Sequence, residues 1–140
     1  MICTRRNIKS KIQIMVKNYR LIALLLSCGF LLFAVLSKLY RGPYWAFSDA
    51  YIGDVGIVAC LYFGLSFAAP GLKPGLKLFL ISAVAIFVEL FQATGIPKSM
   101  NLPAPFVWVL GSHFDPVDFL FYFAGLLIAF FFDKRLFYAQ

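Results

Sequence analysis

The segment LKLFLISAVAIFVELFQAT, Leu76 to Thr94, is overwhelmingly apolar, lacks the alternation of a half-buried strand, and carries a single acid, Glu89, thirteen residues in. A run of about 19 residues matches the ~20 that cross about 30 Å of hydrocarbon as a helix. A helix also satisfies its own backbone polar groups in lipid. Outward from this run, three others have the same character. Leu21 to Ser37 lies between Arg20 and Lys38, and Tyr51 to about Ala69 ends at the breaker Pro70-Gly71-Leu72-Lys73-Pro74-Gly75. Val117 to Phe132 is closed by Asp133-Lys134-Arg135. The sequence therefore predicts an all-α fold, an integral membrane four-helix bundle. It divides into a basic N-terminal segment (1–20), one transmembrane domain (21–135) and a short tail (136–140).

Composition excludes the alternatives. Of the 140 residues, 62% are hydrophobic and only 14% charged, against roughly 45–50% and about 25% in a soluble domain. A small globule cannot hide that excess, because much of its surface stays wet. The cysteines Cys3, Cys28 and Cys60 have neither metal-ligand nor redox spacing. Leu25-Leu26-Ser27-Cys28-Gly29 loosely resembles a lipoprotein cleavage box, but the apolar run continues past it to Leu36, so the first helix is expected to be retained.

Charge sets the expected orientation. With both termini cytoplasmic, the inner side holds Arg5, Arg6, Lys9, Lys11, Lys17, Arg20, Lys73, Lys77, Lys134 and Arg135, and the outer side only Lys38, Arg41 and Lys98. Positive residues are retained inside during insertion. The net charge of +7 is then a membrane-topology signal and an attraction to anionic headgroups, with no nucleic acid expected as a partner. Localisation in a bacterial cytoplasmic (inner) membrane follows as the expectation.

On that topology five of the six acids gather at the outer side. Asp49 precedes the second helix, and Asp54 lies five residues further in. Glu89 is thirteen positions into the third run, with Gln92 one turn on and on the same face. Asp115 and Asp118 flank the start of the fourth, where Tyr122 stacks one turn beyond Asp118. Arg41 is the expected counter-ion, and Asp133 is left inside beside Lys134 and Arg135. A carboxylate at the centre of a bilayer costs at least ~2.5 kcal/mol, so it normally faces a bundle interior and marks a site. The candidate pocket is thus Asp49, Asp54, Glu89, Gln92, Asp115, Asp118, Tyr122 and Arg41. The plainer alternative makes Asp49 a helix cap and Asp54, Glu89 and Gln92 interhelical glue worth ~0.6–2 kcal/mol each. Gly53, Gly56, Gly64 and Gly125 are expected to let helices approach closely. Residues Gly95 to Pro116, with Pro97, Pro103, Pro105 and Pro116 around Phe106 to Leu110, are too short to span and read as an interfacial or re-entrant segment before the fourth helix.

Three patterns together, Ser48-Asp49-Ala50-Tyr51-Ile52-Gly53-Asp54, Glu89-x-x-Gln92, and Phe114-Asp115-x-x-Asp118-x-x-x-Tyr122-x-x-Gly125, resemble a family of small bacterial membrane proteins. This is domain of unknown function 2809, also labelled a ribosomal maturation family. The resemblance runs over about residues 20 to 135. More distantly the chain is similar to VanZ-like proteins, associated with glycopeptide (teicoplanin) resistance, which share the Glu-x-x-Gln and an Asp followed by Gly on the next helix. Tyr122 stands where that pattern has asparagine, and no obvious arginine follows Gln92. The resemblance implies a fold and a site, not a reaction.

Function is therefore read from the acids. Clustered carboxylates with few positive partners either hold a hard cation through oxygen or hold protons between them. The leading expectation is a binding protein whose outward-facing acidic pocket takes a lipid headgroup, an envelope lipid precursor or a cation. No cofactor is predicted, a divalent cation being the exception considered, and membrane lipids are the expected partners. One alternative is a membrane-embedded enzyme on a lipid-linked substrate, with Glu89 as acid and Asp118 as base. Against it, there is no Ser-His-Asp arrangement, no HExxH and no phosphate-cradling loop. The other is a small proton-coupled transporter, which would need a homodimer to build a pathway.

Overall fold

The computed structural model describes residues 2–96, 103 and 115–138, and side chains over 14–96, 103 and 115–136. Most of the expected re-entrant segment, including Trp108 and His113, lies outside the described residues. Four long helices account for the rest: α1 (Ile2–Leu39), α2 (Trp45–Ala68), α3 (Pro74–Ala93) and α4 (Asp118–Tyr138). No strand occurs among the described residues.

Each boundary has a local cause. Helix α1 runs on through the basic N-terminal segment, so residues 2–20 continue the first helix; the sequence had set them apart on charge alone. Helix α2 opens with a wide π turn at Ser48–Ile52, which α1 braces from outside. The Lys38 ammonium donates to the Asp49 carbonyl, and the Ser48 hydroxyl donates to the Ser37 carbonyl at 3.2 Å. Pro74 stands at the start of α3, where its missing N–H costs nothing. Gly95, at φ +72°, ends that helix in the left-handed conformation that glycine adopts without strain, its amide donating to Gln92 O at 2.9 Å. Asp115 leads into α4 through an Asx turn, with the Val117 amide donating to its Oδ1 at 2.9 Å.

Helices in lipid associate by close packing, so small residues mark the seams. A Cβ on Gly125 would stand 2.5 Å from Val58 Cγ2 and 2.6 Å from Val55 O, which holds α4 tight against α2. At Gly56 it would meet Ala34 Cβ at 2.9 Å and Phe30 O at 3.0 Å, fixing α2 on α1. Gly64 does not share this role, since its nearest neighbour would be an ordinary 3.6 Å away. The core between these seams is Val58, Ala59, Tyr62, Phe63, Ile81, Leu126 and Ala129. Helix α3 leans on α4 and stands further from α2.

Three helices are long and apolar enough to cross a membrane: Ile14–Leu39, Trp45–Ala68 and Pro74–Ala93. The chain is a membrane protein. The fourth helix carries Asp118, Asp133, Lys134 and Arg135 and is not among these three, yet it covers the same depth. It meets α3 at two levels, Tyr122 with Glu89 at 2.8 Å and Asp133 with Lys77 at 3.0 Å. The two helices are therefore antiparallel. Lys77 and Glu89 are about 18 Å apart along α3 at 1.5 Å per residue, so both levels fit within about 30 Å of hydrocarbon.

Candidate functional site

At one of these levels three helices deliver carboxyl groups. Asp54 comes from α2 just past the π turn, Glu89 from the last turns of α3, and Asp118 from the first turn of α4. All three lie within electrostatic reach of one another. Glu89 is completely buried and Asp54 is 9% exposed. The Tyr122 hydroxyl donates to Glu89 Oε1 at 2.8 Å. Glu89 Oε2 is buried with no hydrogen-bond partner among the described residues. Asp54 and Asp118 accept no hydrogen bond among those residues either.

The remaining candidates sort around this centre. Gln92 is buried one turn beyond Glu89, on the face its spacing predicts. The Asp115 backbone N–H is within hydrogen-bonding reach of the Glu89 carboxyl, while the Asp115 side-chain oxygens are engaged elsewhere, Oδ1 by the helix start and Oδ2 by the Tyr51 hydroxyl at 3.1 Å. Asp49 sits at the edge of the site, within charge reach of Asp54. Arg41 does not join them. Its exposed guanidinium donates to the carbonyls of Lys38 and Tyr40, both at 2.9 Å, and lies over the Trp45 ring. It finishes α1 by satisfying terminal carbonyls, the usual service of a cation at a helix C-terminus. The cation within reach of Asp54 and Asp118 is instead Lys38.

A cavity of about 240 Å³ opens where α3 stands off from α2. Asp54 and Tyr122 line it at the polar end, and Ile57, Leu61, Ile81 and Val84 are among its apolar walls. Its α2 wall runs from Asp54 to Leu61, about 10 Å of helix. Among the described residues no group of three or more His, Cys, Asp and Glu is placed to hold a metal ion.

A second polar cluster lies at the other level, and the sequence reading missed it. Lys77 and Asp133, both completely buried, form an ion pair at 3.0 Å. Lys77 Nζ also donates to the Tyr19 hydroxyl at 2.6 Å, and that hydroxyl donates to Asp133 Oδ1. The Tyr62 hydroxyl is 3.0 Å from both Asp133 Oδ2 and Pro74 O. Lys77 is thus not a loop charge, and the partner of Asp133 is Lys77; the neighbouring Lys134 and Arg135 stay outside the pair. The available signal was helical register, because Lys77, Ile81, Ala85, Glu89 and Gln92 recur every three or four residues as one buried stripe.

Fold and site together define a four-helix membrane protein with a buried, acid-rich centre and an apolar cleft beside it. The chain matches the model of a family described as protein of unknown function, DUF2809, over residues 43–126, more than half of its length. It belongs to that family. The match takes in Asp49, Asp54, Glu89, Gln92, Asp115, Asp118 and Tyr122 and leaves Arg41 outside. It does not extend to the ribosomal label or the VanZ likeness. No curated protein and no solved structure matches the chain.

Proposed function

We propose that this protein binds an amphipathic lipid of a bacterial cytoplasmic membrane, holding the head at Glu89, Asp54, Asp118 and Tyr122 and a hydrocarbon chain in the α2–α3 cleft. The observation that carries this reading is the pairing of two features. A completely buried carboxylate keeps one oxygen without a partner among the described residues, and the tyrosine that donates to its other oxygen stands with Asp54 in the wall of an apolar cleft. Buried polar atoms in folded proteins are nearly always satisfied, so an orphan beside a cavity points to a ligand. The volume suits a chain segment: about 240 Å³ lies between the ~150 Å³ that encloses benzene and the ~300 Å³ and upward of drug-sized sites.

Both termini are cytoplasmic in this reading and the acidic site opens outward, which the concentration of Lys and Arg at the Lys77 side supports. A fluorescent protein that matures only in the cytoplasm, fused after Gln140, is expected to glow; a dark fusion with normal membrane yield would reverse the orientation. Lipid binding is tested by unfolding the delipidated chain in detergent with and without a bacterial polar lipid extract. At a hundredfold excess over Kd the native state gains about 2.7 kcal/mol, and Glu89→Gln is expected to abolish that gain. No shift from the extract, or an equal shift in the variant, would remove the proposal.

A further inference from the structure

Resting on the lipid-binding reading, we infer that the head this site accepts is a primary ammonium, carried by an aminolipid of the outer leaflet. The site is rich in acceptors and poor in donors. Glu89 Oε2 is completely buried without a partner among the described residues. Asp54, nine-tenths buried, lines the cleft and accepts no hydrogen bond among the described residues, and Asp118 accepts none there. Tyr122 is the donor on the cleft wall, and its single proton is already directed at Glu89 Oε1. The Lys38 ammonium, which donates to the Asp49 carbonyl, is one positive charge within reach of Asp54 and Asp118 and is outnumbered by the carboxyls.

What complements this set must bring donors and positive charge together. A phosphate or a second carboxylate would add acceptors to acceptors and like charge to like charge in a medium of low dielectric. A glycerol head brings hydroxyl donors but leaves the charge unanswered. A quaternary ammonium brings the charge without an N–H, and such groups are held by aromatic faces, whereas carboxyl oxygens dominate here. A primary ammonium has three N–H donors on one positive centre. Those donors and that charge answer the acceptor-rich end of the cleft, where Asp54 stands in the wall. A bare divalent ion would need a convergent set of ligands, which the described His, Cys, Asp and Glu side chains do not form. The chain of the lipid then runs from Asp54 and Tyr122 down the cleft toward Leu61 and Ile81.

The test uses the full chain, purified and delipidated in detergent, and reads its melting temperature against four probes at matched concentration. These are dioleoyl phosphatidylethanolamine, dioleoyl phosphatidylcholine, dioleoyl phosphatidylglycerol and free ethanolamine. Phosphatidylethanolamine is expected to raise the melting temperature at least twice as far as either other lipid. Free ethanolamine is expected to do little. Asp54→Asn and Glu89→Gln should each erase the preference, and Asp118→Asn, at a half-buried position, should reduce it if either of the others folds poorly. Equal shifts from all three lipids would overturn the ammonium assignment while leaving lipid binding in place. No shift from any lipid would overturn both. Ethanolamine acting as strongly as the lipid would show a soluble amine site and overturn the lipid source.

Discussion

The same helices bury polar groups at two levels, and they treat them in opposite ways. At the Lys77 level all four helices contribute to a closed set: Tyr19 from α1, Tyr62 from α2, Lys77 from α3 and Asp133 from α4. One positive charge meets one negative charge, and both carboxylate oxygens of Asp133 are engaged. At the Glu89 level three carboxyls share one tyrosine hydroxyl and the charge of Lys38, and a buried oxygen is left without a partner among the described residues. Burying an ion is tolerable when its partner and hydrogen bonds are built in, and costly when they are not. A fold that satisfies its charges so fully at one end has no physical need to leave them open at the other. The closed cluster ties the helices together; the open one is where the proposed ligand would bind.

The largest effect that can break this comparison lies at the closed level. Asp133→Ala would strand the Lys77 ammonium in a dry interior and is expected to cost about 3–5 kcal/mol, read as lost thermal stability in detergent. The double variant Lys77→Met with Asp133→Leu should recover most of the loss, because apolar replacement of a buried pair is often neutral or better. If the double variant is as unstable as the single one, the ion pair itself is required and the level is more than a clasp.

How much of this was legible beforehand follows the same division. The apolar runs and their breakers placed all four helices, because Pro74, Gly95 and Asp115 act locally. Asp54, Glu89 and Asp118 could be placed at one depth because helical rise converts spacing into depth without any tertiary knowledge. Lys77 and Asp133 were harder. Charges near the ends of apolar runs carry topology information, and that rule competes with helical register for the same residues. Register prevailed: Asp133 falls one turn beyond Ala129 and two beyond Gly125 and is buried with them. Arg41 illustrates the opposite failure. A cation close in sequence to an acidic site can be drawn off by main-chain carbonyls, and only the geometry of the α1 end reveals it.

The smallest expected effect is the most discriminating. In lipid-free detergent Glu89→Gln should change stability by no more than about 1 kcal/mol, in either direction. The amide oxygen can still accept from Tyr122, and the group replaced is one whose second oxygen contributes no hydrogen bond. A buried structural carboxylate behaves otherwise, as Asp133 is expected to show. A drop comparable with that of Asp133→Ala would make Glu89 a second clasp, and the contrast between the two levels would collapse. A melting temperature held level, with the response to lipid gone, would separate the cost of building the site from the purpose of leaving it open.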